Sequence, residues 1–281
     1  MVDSSVFRYT VIALLAAFAA SCPCAESLLF ASPIPAAPPR TAGIGDSSKP
    51  TITTFDAPGA GDGRGQGTSA VSINSAGVIA GYYYDANSVI HGFVRAANGI
   101  MTTFDSPGAG FIFPNSINTA GAIAGYFRDA SYVWHGFVRD ASGTISTFGV
   151  PGAGTVSSQG TNARSINDSG VITGDYSDAN SVTHGFVRTP DGTITTFDAP
   201  GAGPATYAFS INTAGAIAGF YSDASSVDHS FVRAANGTIT TFNAPGAGKR
   251  GTIAESISTS GAIAGYYTEI GSVNQGFLRT P

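Results

Sequence analysis

The stretch His91–Gly110, HGFVRAANGIMTTFDSPGAG, decides the fold. It reads as a strand (HGFVR), an Asn98-Gly99 turn, a second strand (IMTTF) and a Pro/Gly corner (DSPGAG). Asn-Gly between two β-rich runs predicts a hairpin with a type I′ turn, in which both central residues take positive φ. The string returns as HGFVRDASGTISTFGVPGAG from His135, HGFVRTPDGTITTFDAPGAG from His184 and HSFVRAANGTITTFNAPGAG from His229.

The phenylalanine that closes the TTF string falls at Phe55, Phe104, Phe148, Phe197 and Phe242, at spacings of 49, 44, 49 and 45 residues. Five repeats therefore fill 51–281. Each carries four β-like pieces, which in the first are TITTF (51–55), VSIN (71–74), VIAGYYY (78–84) and VIHGFVR (89–95). Four short strands in about 45 residues is the period of a β-propeller blade. No 3.6-residue apolar period competes with it.

Loop lengths place the boundary between repeats. The SIN-to-IAGYY and FVR-to-TTF connections are short, whereas the longest and most variable link follows each PGAG. From inside to outside a blade is then SIN, IAGYY, HGFVR and TTF. This phasing leaves TITTF (51–55) without a preceding HGFVR, and Gln275-Gly276-Phe277-Leu278-Arg279 without a following TTF. The expected fold is an all-β, five-bladed β-propeller of four-stranded blades. Its last blade is closed by strand 51–55 pairing with strand 275–279, which also removes an exposed sheet edge. An open β-array is the alternative.

Alternation within the second strand puts Ile79, Gly81 and Tyr83 on one face, with Phe93 supplying the aromatic of the third strand. The expectation is packing between blades, the glycine letting the neighbouring sheet approach. Composition agrees with such a fold. Of 281 residues 37 are glycine and only 11% are charged, while 43% are hydrophobic, which is ample for a core and argues against disorder. A net charge of −5 argues against a nucleic-acid partner, which needs clustered Lys and Arg.

The N-terminus reads as a processing segment. Arg8 precedes the apolar run Val11–Ala20, too short for the roughly 20 residues that span a bilayer but suited to a signal peptide over 1–25. Ala19-Ala20-Ser21 before Cys22 also fits a lipoprotein signal, so a lipid anchor at Cys22 is the one membrane contact the sequence suggests, beside simple secretion. Both cysteines, Cys22 and Cys24, lie here, so no disulfide is expected in the repeats. Residues 26–50, with five prolines, read as an extended linker. The expected location is extracellular, periplasmic or on the outer surface.

The pattern HGFVR–NG–TTFDAPGAG–SIN–GYY resembles the bacterial extracellular HAF repeat, a family named for a His-Ala-Phe motif. The resemblance covers about 230 residues and implies an exported repeat protein with no assigned catalytic residues. This chain departs from it with glycine in His91-Gly92-Phe93, Ser230 in the fourth repeat and Gln275 in place of histidine in the fifth.

Strand direction puts the PGAG links and the loops after GYY at one face, the variable one, where function sits on a rigid scaffold. Candidate ligand contacts there are Asp85, Asp129, Asp178 and Asp223 of the loops, His91, His135, His184 and His229 at the strand starts, and Trp134, the only tryptophan. The aspartates suit turns, each carboxylate accepting a backbone N–H two residues on. One Asp and one Asn per loop supply too few oxygens for calcium, which takes six to eight. Histidines on separate blades cannot share a zinc ion at about 2.0–2.1 Å. A histidine bonded to the aspartate loop of its own blade is the simpler reading. Neither a metal nor a cofactor is expected, and no G-x-S-x-G, P-loop or dinucleotide pattern is present.

Breaks in the repeat are the place for a unique site. Asp175 stands where the other repeats have Tyr82, Tyr126, Phe220 and Tyr266, while Arg164 and Glu255 precede their SIN strings. Asp175 and Glu255 are the one carboxylate pair to nominate for glycosidase-type chemistry, which needs about 5–9.5 Å between the acids. The preferred expectation is an exported, non-enzymatic module that binds a glycan or another surface ligand at several related loops. A polysaccharide-acting enzyme and a purely structural envelope protein are the alternatives.

Overall fold

The computed structural model describes residues 52–106, 108, 110–269 and 273–281. The first repeat forms four antiparallel strands in chain order, β1 (Gly67–Ile73), β2 (Ile79–Tyr84), β3 (Ile90–Arg95) and β4 (Met101–Phe104). The second repeats this as β5 (Phe111–Ile117), β6 (Ile123–Arg128), β7 (Trp134–Arg139) and β8 (Ile145–Phe148). The third comprises β9 (Gly160–Ile166), β10 (Ile172–Ser177), β11 (Thr183–Arg188) and β12 (Ile194–Phe197). The fourth is β13 (Ala205–Ile211), β14 (Ile217–Ser222), β15 (Asp228–Arg233) and β16 (Ile239–Phe242). The fifth has three strands, β17 (Ala247–Ile257), β18 (Ile263–Glu269) and β19 (Asn274–Arg279). The protein is thus all-β, with no helix among the described residues.

The chain divides into two compact parts, Met1–Thr54 and Phe55–Pro281. Of the first only Ile52–Thr54 are described, so the expected signal segment (1–25) and linker (26–50) lie outside the described residues. All the strands belong to the second.

Local chemistry explains the hairpins, with one correction. Between β3 and β4, Gly99 donates its N–H to Ala96 O and Ala96 donates to Ile100 O. Only Gly99 has positive φ (90°), and Asn98 instead accepts the Ile100 N–H on its side chain at 3.1 Å. The turn is therefore a type I turn followed by a left-handed glycine, not type I′. The role expected for Gly81 also changes. A Cβ there would lie 2.1 Å from Ser69 O of β1 and 2.8 Å from the ring of Phe93, both in the same repeat, so the glycine makes room for its own repeat rather than for a neighbouring sheet.

Repeats meet through a joint that recurs along the chain. Phe104 at the end of β4 packs edge-on against Phe137 of β7 (6.3 Å), and the Arg139 guanidinium lies over Phe104 (4.9 Å). The same trio forms from Phe148, Phe186 and Arg188, from Phe197, Phe231 and Arg233, and from Phe242, Phe277 and Arg279. Ala80, Val94 and Phe104 of the first repeat enclose Ile112, Ile123 and Phe137 of the second in one apolar cluster. Burying one such phenylalanine stabilises by about 1.5–3 kcal/mol. Along the first strands, Ile117 N–H donates to Ser72 Oγ (3.2 Å) and Asn74 Nδ2 donates to Asn118 O (3.0 Å). This pair of bonds repeats at each joint down to the fifth repeat.

The two ends of the array differ from its middle. Phe55 packs on Phe93 (6.2 Å) under Arg95 (4.8 Å), and Ala57 N–H is bonded to Thr68 Oγ1. Phe55–Ala57 thus meet the first repeat as the end of a preceding outer strand would. Residues 52–55 nevertheless form no strand, and β19 pairs only with β18. Among the described residues no strand pairs with the outer edge of β19, where 51–55 was expected, and the sheet is not closed. The outer edge of β19 borders a cavity of about 380 Å³ lined by Phe242, Pro245, Phe277 and Arg279, among others. At the other end Ile73 of β1 is 64% exposed.

Candidate functional site

The links and the loops after the second strands come together at one end of the repeats, as strand direction requires. Gly61 N–H donates to Tyr84 O, Gly154 N–H to Ser177 O and Gly203 N–H to Ser222 O. In the first and third repeats Gln66 and Gln159 also reach across from the link, donating to Ala86 O and Ala179 O. Each loop is closed by its aspartate. Asp85 Oδ1 accepts the N–H groups of Asn87 and Val89, and Asp129, Asp178 and Asp223 do the same in their loops.

The histidines are built into this loop support. Each stacks on an aromatic ring of the second strand, Tyr83, Phe127, Tyr176 or Tyr221, with centroids 5.0–5.1 Å apart. His135 Nε2 is 2.9 Å from Asp129 Oδ2 and His229 Nε2 is 3.2 Å from Asp223 Oδ2, while His91 and His184 lie 3.6 and 3.8 Å from Asp85 and Asp178. On the other ring nitrogen His91 meets Asp105 (2.8 Å), His184 meets Asp198 (2.8 Å) and His229 meets Asn243 (3.0 Å). Gly149 stands in the corresponding place for His135. The Val89, Val182 and Val227 N–H groups hold the carboxyls of Asp85, Asp178 and Asp223 below the usual range, and His135 does so for Asp129. Among the described residues no three His, Cys, Asp or Glu side chains gather as a metal site.

The breaks in the repeat occupy one structural position. Each first strand bulges before its SIN string, leaving Val71, Asn115, Arg164, Phe209 or Glu255 unpaired in the ladder. A bulge re-aims the side chain it carries. Arg164 turns onto Asp175 of β10, pairing Nε with Oδ1, and lies over the Phe209 ring (5.0 Å). Asn162 donates to the other carboxylate oxygen (3.1 Å), and Asp175 is 1% exposed. Burial works against the Arg164 charge, but the Asp175 carboxylate outweighs it and raises the pKa. Asp175 is therefore buried and neutralised rather than facing a cleft. Glu255 sits two repeats away on β17, its pKa raised by burial, and no hydrogen bond or ion pair joins it to Asp175.

One loop end is built differently from the rest. In the second repeat the Arg128 guanidinium lies over Phe111 (4.4 Å), Tyr132 (4.5 Å) and Trp134 (5.5 Å). Trp134 meets Tyr126 edge-on (5.3 Å), and Phe113 connects Tyr126 to Tyr82 of the first repeat (5.2 and 5.4 Å). Arg128 replaces Tyr84, Ser177, Ser222 and Thr268, and Trp134 replaces Ile90, Thr183, Asp228 and Asn274. The sequence reading singled out Trp134 but missed Arg128. Alignment of the repeats, where arginine interrupts a Tyr/Ser/Thr column, is the signal that marks it.

No protein-family model matches this chain, and no curated protein matches it in sequence. Its backbone is similar to solved structures. One is a virginiamycin B lyase from Staphylococcus aureus, at 14% identity and a TM-score of 0.48 over 74% of this chain and 69% of that one. Another is a streptogramin B lyase, at 13% identity and 0.49 over 81% and 73%. A third is a triple arginine-to-alanine mutant of AofleA from Arthrobotrys oligospora, at 15% and 0.47 over 75% and 68%. Likeness this loose carries no assignment of activity or blade count.

Two predictions follow from this geometry. Replacing Arg164→Val strands a buried carboxylate and is expected to cost about 3–5 kcal/mol in urea unfolding. Adding Asp175→Tyr gives this repeat the residue types the first repeat has at both positions, Val71 and Tyr82, and recovers most of that loss. A double variant as unstable as the single one would contradict a purely structural ion pair. The loop aspartates set an acid limit. Their carboxyls are held below the ordinary aspartate value of about 3.8 when folded, so their stabilisation is complete above that pH and is lost as the pH falls through the depressed values. Unfolding free energy measured against pH should fall below about 3.8, and Asp129→Asn should flatten that fall.

Proposed function

We propose that this chain is an exported, non-enzymatic repeat protein that binds a glycan or another extracellular ligand at its loop end. The observation that carries the reading is the Arg128–Phe111–Tyr132–Trp134 cluster, an aromatic and cationic group with no counterpart in the other repeats among the described residues. Aromatic rings offer flat apolar faces with a polar handle, a combination suited to sugars and to protein surfaces. The histidines and loop aspartates support the loops in this reading, since their polar atoms are largely engaged with one another and with the backbone. Contacts at the other loops would add avidity to a principal site in the second repeat. Export rests on the N-terminal pattern and on the resemblance to HAF repeats. The carboxylate-pair reading has little support, because Asp175 is held by Arg164 and Asn162.

We further propose that the array closes as a five-bladed propeller, residues 52–55 adding the fourth strand of the last blade. The support is a set of matching parts. Ile52-Thr53-Thr54-Phe55 repeats the ITTF of β12 and β16. A Cβ at Gly92, Gly136 or Gly185 would lie 2.5–2.6 Å from the phenylalanine ring of the fourth strand, whereas at Gly276 it would meet only Gly265 O at 4.0 Å. The last blade keeps the glycine that admits the ring.

Glycan-array or polysaccharide pull-down experiments with folded protein test the binding reading. Binding that Trp134→Ala weakens by about ten-fold or more, a loss on the scale of one interface hot spot, is the expected result. A folded protein that retains nothing on any glycan or extracellular polymer would overturn it. Closure is tested by comparing Phe277→Ala with Phe137→Ala in urea unfolding. A closed array predicts similar losses of about 3–5 kcal/mol. A Phe277 loss less than half that of Phe137 would reject it.

A further inference from the structure

Seven of the described arginines fall into three settings. Five of them, Arg95, Arg139, Arg188, Arg233 and Arg279, lie over the phenylalanine of a joint. Arg164 is committed to Asp175. Arg128 belongs to neither group: it is held by three rings at the loop end, and no carboxylate or carbonyl among the described residues accepts its N–H groups. The adjacent Asp129 carboxylate is taken up by Ser131 N–H, Val133 N–H and His135. A guanidinium held among three rings, with no protein acceptor on its N–H groups, keeps its donors in one planar set for a ligand. That fork matches a planar anion by two parallel hydrogen bonds.

The rings around it are placed for the rest of a sugar. Tyr132 is 54% exposed although it takes φ +65°, a left-handed conformation that costs a bulky residue strain and that serine adopts in three of the other loops. Its backbone is pinned there, its N–H donating to Asp129 O and its carbonyl accepting the Ser158 N–H, both at 2.9 Å. Val156 of the next link is 61% exposed. A pyranose laid on such a ring sets its C–H bonds against the negative π-face. We propose that the Arg128 cluster is a binding site for an anionic sugar, whose ring rests on Tyr132 and Trp134 and whose carboxylate or sulfate is taken by the Arg128 fork.

This inference rests on the binding reading above, and its test separates the two. The full mature chain is titrated with polygalacturonate, dextran sulfate and neutral dextran, together with Arg128→Gln, Arg128→Lys and Trp134→Ala, each checked for an unchanged thermal melt. The expected result is preference for an acidic polymer, lost by about ten-fold or more in Arg128→Gln, as for a charge-assisted hydrogen bond. Carboxylate as the natural group predicts that polygalacturonate binds best and that Arg128→Lys, which keeps the charge but not the fork, also loses affinity. Sulfate predicts that dextran sulfate binds best and that Arg128→Lys retains most of it. If Arg128→Gln unfolds, Arg128→Lys and Trp134→Ala still decide the matter, since loss of acidic-polymer binding in a folded variant supports the site. Equal binding of neutral and acidic polymers, or acidic binding unaffected by all three substitutions, overturns this inference and leaves the wider reading standing. Absence of binding to any polymer overturns both.

Discussion

The structure depends on one joint, a phenylalanine caught between the phenylalanine and the arginine of the next repeat. Phe104 has Phe137 at its edge and Arg139 on its face, and the pattern runs down the chain without change of residue type. An edge-to-face pair is worth about 0.5–1.5 kcal/mol beyond its buried area, and a partly desolvated cation on a ring adds about 0.5–2 kcal/mol. The Nε atoms of Arg95, Arg139 and Arg233 are buried without an acceptor, a cost that a weakly hydrated, delocalised cation can meet on an aromatic face. No repeat completes this joint alone. Stability is therefore a property of neighbours, as in other repeat proteins.

A joint so placed frees the loop end to vary. The phenylalanine and arginine lie in the third and fourth strands, while the residues that differ among repeats lie in the bulges and loops. Val71, Asn115, Arg164, Phe209 and Glu255 occupy the same bulge, one in each repeat. The histidine and aspartate of each loop then act as a strut between the varied residues and the constant ones. His135 shows the strut at its simplest, stacked on Phe127 and bonded to Asp129 beside the Arg128 cluster.

Strand order, repeat phase and the aromatic positions of the second and third strands were legible in the sequence, because a period near 45 residues repeats every apolar position five times. The first strand was read too short. GTSA of Gly67–Ala70 is polar and glycine-rich, yet it pairs with Tyr84 back to Gly81 because its partner strand supplies the apolar side chains. The Asn-Gly turn was misassigned, since a further residue in the loop lets glycine alone take positive φ. At the candidate site the tryptophan stood out by type. Arg128 did not, because an arginine at a strand end is ordinary until three rings from separate segments converge on it. Asp175 was nominated as a catalytic carboxylate because its partner lies eleven residues away on a bulge that no local pattern announces.

The ends of the array show where the sequence relaxes. Four joints carry an asparagine whose amide crosses to the next repeat, but the fifth repeat has Ser258, whose Oγ accepts the Ala262 N–H and meets Ser260 instead. Gln275 likewise stands where the other repeats have the stacked histidine. A joint between the fifth and first repeats would forgo one crossing hydrogen bond, worth about 0.5–1.5 kcal/mol, and one loop strut. It would keep the parts that matter most: Phe55 with Phe93 and Arg95, Gly276, and an ITTF strand for the bare edge of β19. Both open ends leave apolar side chains exposed, Ile73 at 64% and Leu278 at 70%.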